Sequence, residues 1–466
     1  MTSLGTDSNP LRVAIIGSGP AAFYAVETFF KQTALVVQID MFDRLPTPYG
    51  LVRYGVAPDH QKIKSVTKVY EKLAANPRFR FFGNVELGKH VTAADLRQHY
   101  HQILYATGAQ SDRRMGIPGE DLIGSHPATE FVAWYNGHPD FRNHQFDLSV
   151  ERVAVVGVGN VAIDVARILS RTPQELKATD MADYAIEQLA NSHIKEVYLL
   201  GRRGPAQAAF TNPEVKELAE MQDADVFTRA DEVQLDELSK AELAGDPDPA
   251  TQKKIEMLAS YALHQPSGKT RKLHIRFLVS PVELIGDANG RVAKMRIVRN
   301  TLVKSETGTI SAKATDQFEE LQVGMVFRSV GYRGAPMPDV PFNDRWGVIL
   351  NESGRVIDPG TKQPRMGEYT AGWIKRGPSG VIGTNKPDSV ETVNAMLADL
   401  QQGCVLAPAQ ADAASAERFV ASRQPQYITF ADWLKLDQLE LANGAKQGRP
   451  RLKFTSVAEM LRAVGK

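Results

Sequence analysis

The sequence predicts a three-layer α/β protein with two nucleotide-binding sheets, the second inserted into the first. Three segments carry the prediction. RVAIIGSGPAAFYAVETF places an apolar strand, Val13–Ile16, before Gly17-x-Gly19-x-x-Ala22 and a helix. RVAVVGVGNVAIDVARIL repeats the pattern 140 residues later, with strand Val153–Val156, Gly157-x-Gly159-x-x-Ala162 and a second helix. In each, the first glycine makes the tight turn and the second lets backbone approach a pyrophosphate at the positive end of the helix. The small third residue allows close helix–strand packing. The third segment, AGWIKRGPSGVIGTN, sets another Gly-rich turn ahead of a helix far down the chain. It suggests that the first unit resumes after an insertion. The expected organisation is two Rossmann-like dinucleotide-binding domains: the first from residues 1–109 and 334–466, and the second, inserted into it, from residues 110–333.

The elements follow in order. Strand 12–16, a helix near 20–32 and strand 36–42 form a βαβ start. The loop RLPTPYGLVRYGVAPDH follows, and ordered loops of this length are usually functional. Ile63, Val66, Val69 or Tyr70, and Leu73 recur at helical spacing over 61–75. Short strands surround FRFFGNVEL and QILYATG. Beyond 110, a helix is predicted over 126–137, and the second fingerprint opens at 153. The stretch 171–195 holds one or two inserted helices before strand 196–200. Residues 215–262 are charge-rich and read as helical, broken at DPDP (246–249). Strands then alternate from LHIRFLVSPVELIG to QVGMVFRSVGY. A helix over about 387–401 begins with proline, as first helical turns prefer. APAQADAASAERF reads as a linker passing into a helix, and the last 40 residues add short helices and the basic stretch KQGRPRLKF.

The residues after each fingerprint separate the two nucleotides. The strand VVQIDMFD ends at Asp43, where a carboxylate accepts ribose hydroxyls, as FAD requires. The strand EVYLLG runs instead into Arg202 and Arg203 with no acid at its end. An arginine pair there forks onto a 2′-phosphate and points to NADP(H); the alternative is an ordinary basic turn. Backbone N–H groups of Gly380, Val381 and Ile382 would face the electron-rich pyrimidine edge of a flavin, unless that turn is only a capped helix start.

Composition narrows the chemistry. The 466 residues are 43% hydrophobic and 23% charged with a formal net charge of +1, values of a globular protein with no global field for nucleic acid or an anionic membrane. No run approaches 18 apolar residues, so no membrane span is expected. MTSLGTDSNP has neither the basic start nor the apolar core of a secretory signal, and a cytoplasmic location is expected. No residue set suggests a metal site. The single cysteine, Cys404, excludes an internal dithiol or a cluster held by this chain's own cysteines. It is expected to be a small buried hydrophobe.

The motifs resemble the adrenodoxin-reductase-like ferredoxin–NADP+ reductases, bacterial mycobacterial-type members in particular. GSGPAAFYA, PYGLVRYGVAPDHQKIKSV, YATGAQSD, GVGNVAIDVARIL, GRRGPAQAAFT, RSVGYRG and GWIKRGPSGVIGTN occur in the family's order between residues 17 and 385. The resemblance implies FAD contacts at Gly17, Gly19, Ala21, Asp43, Leu51, Leu87, Trp373 and Gly380–Ile382. It implies NADPH contacts at Gly157, Val158, Gly159, Asn160, Val161, Arg202, Arg203, Glu214 and Gly380. Two departures stand out: Asp43 replaces the family's usual glutamate, and Pro213 precedes Glu214.

Hydride transfer between nicotinamide and flavin depends on stacking more than on acid–base residues. His60 and Glu214 are the catalytic candidates, facing each other across the flavin–nicotinamide pocket; a structural hydrogen bond is the alternative for His60. Trp373 is expected beside the flavin or, alternatively, as a core residue. Without an internal acceptor, the electrons must leave to an outside partner, which the resemblance makes a ferredoxin. Lys375 and Arg376 are the first docking candidates, with Lys446, Arg449, Arg451 and Lys453 behind them, and a monomer is implied. The competing readings are an NADPH diaphorase acting on quinones or oxygen and a non-enzymatic flavoprotein redox sensor.

Overall fold

The computed structural model describes residues 3–246, 248–306 and 308–466. β1 (Leu11–Ile16) is buried along its whole length. It lies parallel between β2 (Val37–Phe42) and β4 (Gln102–Tyr105), with β3 (Phe79–Phe82) outside β2. A parallel strand covered on both faces needs a continuous apolar run, as LRVAII supplies. The chain then leaves this sheet and completes it from far downstream. Strand Pro364–Thr370 pairs parallel with β4, and Arg355–Ile357 and Asn351–Glu352 add an antiparallel edge to make seven strands.

The intervening chain builds a second sheet of six strands, all parallel. Its centre is Arg152–Val156, between Met325–Arg328 and Glu196–Leu200. A three-stranded antiparallel sheet, Val279–Gly286, Val292–Lys304 and Ile310–Gln322, lies beside it. The outgoing and returning chains meet in a short ribbon in which Ser111 and Asp112 pair with Arg333 and Tyr332.

Helices Pro20–Phe30 and Asn385–Gln401 pack on the first sheet, where the Ser389 hydroxyl donates to the Ala21 carbonyl (2.9 Å). The C-terminal helices Phe430–Ala445 and Val457–Val464 bring Trp433, Leu436 and Met460 into the same core. The segment between them crosses to the second sheet's layer. Lys453 Nζ, fully enclosed, reaches Asp180 Oδ1 (3.2 Å), the Asn136 carbonyl (3.1 Å) and the Arg53 carbonyl (3.2 Å).

Local differences from the sequence reading have physical reasons. The single helix expected over 61–75 is two, Gln61–Lys64 and Thr67–Ala74. The inserted stretch 171–195 holds Pro173–Lys177 and Asp183–Ala190. The charge-rich region hides a strand, Ala224–Thr228, at the edge of the six-stranded sheet. Its alternating burial is a half-covered edge pattern that surrounding charge obscured. Helices Glu237–Gly245 and Pro249–Tyr261 flank the DPDP break, and Pro247 lies outside the described residues. Cys404, expected in the core, is exposed. It follows Gly403, whose φ of 72° ends the long helix and turns the chain outward.

Candidate functional site: two nucleotide cradles and the charged network between them

The first cradle is the turn Gly17–Gly19 between β1 and helix Pro20–Phe30. Gly17 has φ 99°, and a Cβ there would meet the Ala106 carbonyl oxygen at 2.5 Å, so glycine is required. Over Gly19 there is open space, and no side chain caps the helix start. Those N–H groups are free for an anion. Asp43 stands beside the turn. Its Oδ2 accepts from the Ser18 hydroxyl (2.5 Å) and N–H (3.1 Å), and its Oδ1 from the Leu45 N–H (2.9 Å). Burial pushes its carboxyl up, opposed by these three donors and Arg44.

The long loop folds back on this turn: the Tyr49 N–H donates to the Ser18 carbonyl (3.0 Å) and Gly50 abuts Gly19. Leu51 opens the short helix Leu51–Tyr54. Leu87 lies two residues past Val85, whose N–H bonds to the Asp43 carbonyl (2.9 Å).

The late Gly-rich turn meets the same helix start. A Cβ on Gly372 would touch the Ala21 methyl at 2.6 Å, and the Gly372 N–H donates to Asp388 Oδ2 (2.5 Å). Trp373 is half-buried; its indole N–H bonds to the Ser379 carbonyl (3.2 Å) and its ring lies 5.5 Å from that of Tyr332. Gly380 has φ 76°, and Val381 is half-exposed ahead of Ile382–Thr384 and the long helix.

The second cradle repeats the first. Gly157 has φ 131°, with its Cβ position blocked by the Ser329 carbonyl, while Gly159 is open above an uncapped helix, Asn160–Ser170. The Val158 carbonyl accepts from the Ala209 and Phe210 N–H groups, and Asn160 Oδ1 accepts from the Thr211 N–H (3.1 Å). Val161 is half-buried against the core of this domain. Arg202 is exposed and its guanidinium has no partner among the described residues. Arg203 donates to the Ile310 carbonyl (3.4 Å); burial and Arg202 push its pKa down.

A charged network joins the Asp59–His60 loop of the first layer to helices of the second. His60, expected to face Glu214, instead meets Glu217: Nε2 is 2.8 Å from Glu217 Oε2 and 2.7 Å from Arg167 Nη1. Helix Asn212–Ala219 carries both acids at i and i+3, so sequence spacing alone does not choose between them. Glu214 points elsewhere. It is buried, and its Oε2 has no hydrogen-bond partner.

Arg167 is the hub, pairing with Asp164 (2.7 Å), Asp59 (3.2 Å) and Glu217. Arg171 also reaches Asp59 (2.9 Å). Burial works against a charged His60, but the Glu217 hydrogen bond with Asp164 and Asp59 outweighs it and Arg167, and the pKa is raised. Asp164 is pushed up to about 7, by burial first, with Arg167 and His60 opposing and Asp59 and Glu214 adding.

The two open helix starts, the unpartnered Arg202 and the orphaned Glu214 oxygen fit a pair of dinucleotides, FAD on the first cradle and NADP(H) on the second. The family model of pyridine nucleotide-disulphide oxidoreductases matches residues 11–225. NADPH-ferredoxin reductase FprA of Mycobacterium leprae is 46% identical over 455 residues, covering 97% of each chain. The chain belongs to the NADPH-ferredoxin reductase family. A solved structure of Mycobacterium tuberculosis FprA in complex with NADPH is 45% identical with a TM-score of 0.90, covering 98% of this chain and 100% of that one. The mitochondrial NADPH:adrenodoxin oxidoreductase of Arabidopsis thaliana is 36% identical over 466 residues, 98% of this chain and 96% of that protein.

Sequence reasoning missed five members of this reductase's charged network: Asp59, Asp164, Arg167, Arg171 and Glu217. Asp59 sat in the same quoted motif as His60. Asp164 and Arg167 lay inside the second fingerprint helix, where an i, i+3 ion pair reads as surface decoration. Tyr332 sat in the quoted motif RSVGYRG without being singled out.

The basic residues named for docking are mostly turned inward. Lys375 is buried against Asp388 (3.1 Å) and Glu391 (2.6 Å). Arg376 bonds to the Ser379 carbonyl (2.7 Å) and Asn385 Oδ1 (3.1 Å). Arg449 pairs with Asp183, Arg451 with Asp437 and Glu440, and Lys453 with Asp180. Only Lys446 is exposed without an acidic partner among the described residues. A lysine followed by arginine in a short helix looks basic in sequence, but acids 13 and 16 residues downstream, at the start of the long helix, neutralise it.

Proposed function

We propose that this reductase takes hydride from NADPH onto FAD and delivers electrons singly to an iron–sulfur protein of the ferredoxin type. One observation carries the reading: each large sheet ends in a glycine turn open above an uncapped helix start, in a chain whose single cysteine leaves no internal dithiol to receive electrons. Residues 1–109 and 334–466 form the FAD-binding domain and 110–333 the NADP-binding domain. We place the enzyme in the cytoplasm, as a monomer.

Bound FAD supplies the chemistry, accepting two electrons as hydride and releasing them one at a time. The protein's part is binding, orientation and charge. The backbone N–H groups of Gly19, Ala21 and Ala22 at the helix start serve one pyrophosphate, and Asp43 takes the ribose. Gly159 and the start at Asn160 do the same for the second nucleotide, with Arg202 and Arg203 on its 2′-phosphate. Gly380, Val381 and Ile382 set backbone N–H groups toward the flavin's pyrimidine edge, and Trp373 packs beside it. Glu214 has a free buried oxygen for the nicotinamide amide. His60, held by Glu217 and Arg167, fixes the loop against the NADP-binding domain, and Asp164 anchors Arg167 within that network.

NADPH-dependent cytochrome c reduction, with and without small ferredoxins, tests the proposal. Strong stimulation suppressed by salt is expected. Flavin reduction without stimulation would mark a diaphorase, and no flavin reduction by NADPH would overturn the cofactor assignment.

A further inference from the structure

An open cleft of about 590 Å³ lies where the chain crosses between the two sheets. Its lining includes Arg113, Arg333, Arg345, Asp344 and Phe342. Cleft residues Asp112 and Arg114 are engaged elsewhere, with Arg328 and with Asp121. Arg113, Arg333 and Arg345 have no acidic partner among the described residues, although the whole chain is almost charge-neutral. Arg345 lies over the ring of Trp346 at 5.6 Å, and Trp346 is 56% exposed. Unpaired guanidiniums framing an exposed tryptophan are the composition of an interface anchor.

The cleft adjoins the redox site. Arg333 follows Tyr332, whose ring lies 5.5 Å from Trp373. A Cβ on Gly334 would sit 2.5 Å from the Ile374 side chain, so the cleft floor packs directly on the Trp373 helix. The basic residues read from sequence as docking candidates are mostly neutralised inside the protein, whereas Arg113 and Arg345 are exposed and Arg333 half-buried beside the crossing ribbon.

We propose that this cleft receives a carboxylate-bearing loop of the acidic iron–sulfur acceptor, with Trp346 packing on the loop's apolar part. The inference rests on the acceptor reading given under Proposed function. Guanidinium forks pair bidentately with carboxylates, and exposed pairs of this kind set association rate and salt sensitivity. Seated there, the acceptor is separated from the flavin cradle by the Tyr332–Trp373 ring pair.

The test compares the wild-type holoenzyme with Arg113→Glu/Arg345→Glu and, separately, Trp346→Ala. All three positions are exposed, so folding is not at stake. Turnover is measured with NADPH and ferricyanide, then with NADPH, an acidic [2Fe–2S] ferredoxin and cytochrome c over a salt series. The expected result is a tenfold or greater rise in KM for ferredoxin and a shallower salt dependence in the double variant. Trp346→Ala should show a smaller rise with the salt dependence kept, and ferricyanide turnover should stay within twofold in both. A wild-type enzyme stimulated by ferredoxin, with variants of unchanged KM, overturns the docking surface alone. Loss of ferricyanide turnover also overturns it, because the arginines would then serve the redox site itself. No stimulation of the wild-type enzyme overturns the acceptor reading and this surface with it.

Discussion

Replacing Lys453 by Met tests whether one buried cation holds the two nucleotide layers together. The Lys453 ammonium lies 3.2 Å from Asp180 Oδ1 and donates to the carbonyls of Arg53 and Asn136, one from each layer. Asp180 also binds Lys64 at 2.7 and 2.8 Å, so the carboxylate keeps one partner when Lys453 is lost. Breaking a buried pair costs about 3–5 kcal/mol, and each orphaned carbonyl about 1–3. The retained Lys64 pair offsets part of that, leaving an expected loss of about 3–5 kcal/mol.

Asp180→Asn should cost at least as much, since it strands two buried ammonium groups. Burial raises the Asp180 carboxyl, but Lys453 and Lys64 outweigh it and hold the group below the usual carboxylate range. Lys453 is itself pushed down, by burial first, with Asp180 opposing and Lys64 and Arg53 adding to the fall. With the folded carboxyl pKa depressed, the contribution of Asp180 is present above the unfolded value of about 3.9 and disappears as pH falls through the lower folded value. Urea denaturation of the holoenzyme at pH 7, and again toward pH 3, measures this. Both variants should also slow flavin reduction by NADPH, because the loop from Arg53 to Lys64 carries His60. A loss under about 1 kcal/mol in either variant, or Asp180→Asn milder than Lys453→Met, would refute the buried hub.

The remaining predictions are simpler. Arg202→Ala should weaken NADPH binding roughly ten- to a hundredfold and leave NADH nearly unchanged, because the exposed guanidinium has no internal partner to lose; equal losses in titrations of both cofactors would remove the 2′-phosphate assignment. Glu217→Gln removes the bond that raises the His60 pKa, so its stability gap from wild type should be largest below about pH 6.5 and shrink as pH rises through the raised folded value. Paired denaturation curves at pH 5.5 and 8.5 check the sign. Gly17→Ala places a methyl against the Ala106 carbonyl at positive φ, a backbone conformation costing about 1–2 kcal/mol before the clash is counted. Flavin content after purification should fall sharply, and a fully loaded variant would contradict the cradle.

Local chemistry was legible in the chain itself. A glycine with positive φ pressed on a neighbouring carbonyl, an apolar strand covered on both faces and a helix start without a side-chain cap all leave sequence signatures, because each is fixed by a few adjacent residues. That is why the two Gly-rich turns ahead of helices, and a second sheet set between the two parts of the first, could be read in advance. The strand Ala224–Thr228 could not, since its alternation lay among charges that belong to neighbouring helices. Pairing across layers was also beyond the sequence. Glu214 and Glu217 are equivalent by spacing, and only the packing of their helix against the Asp59–His60 loop assigns the histidine to Glu217. The basic C-terminal stretch looked like a surface, yet the fold turns Lys453 and Arg449 inward to meet acids more than two hundred residues away. Motifs specify what a segment binds through its own backbone; which charges remain unpaired depends on long-range packing, and tertiary structure alone decides that.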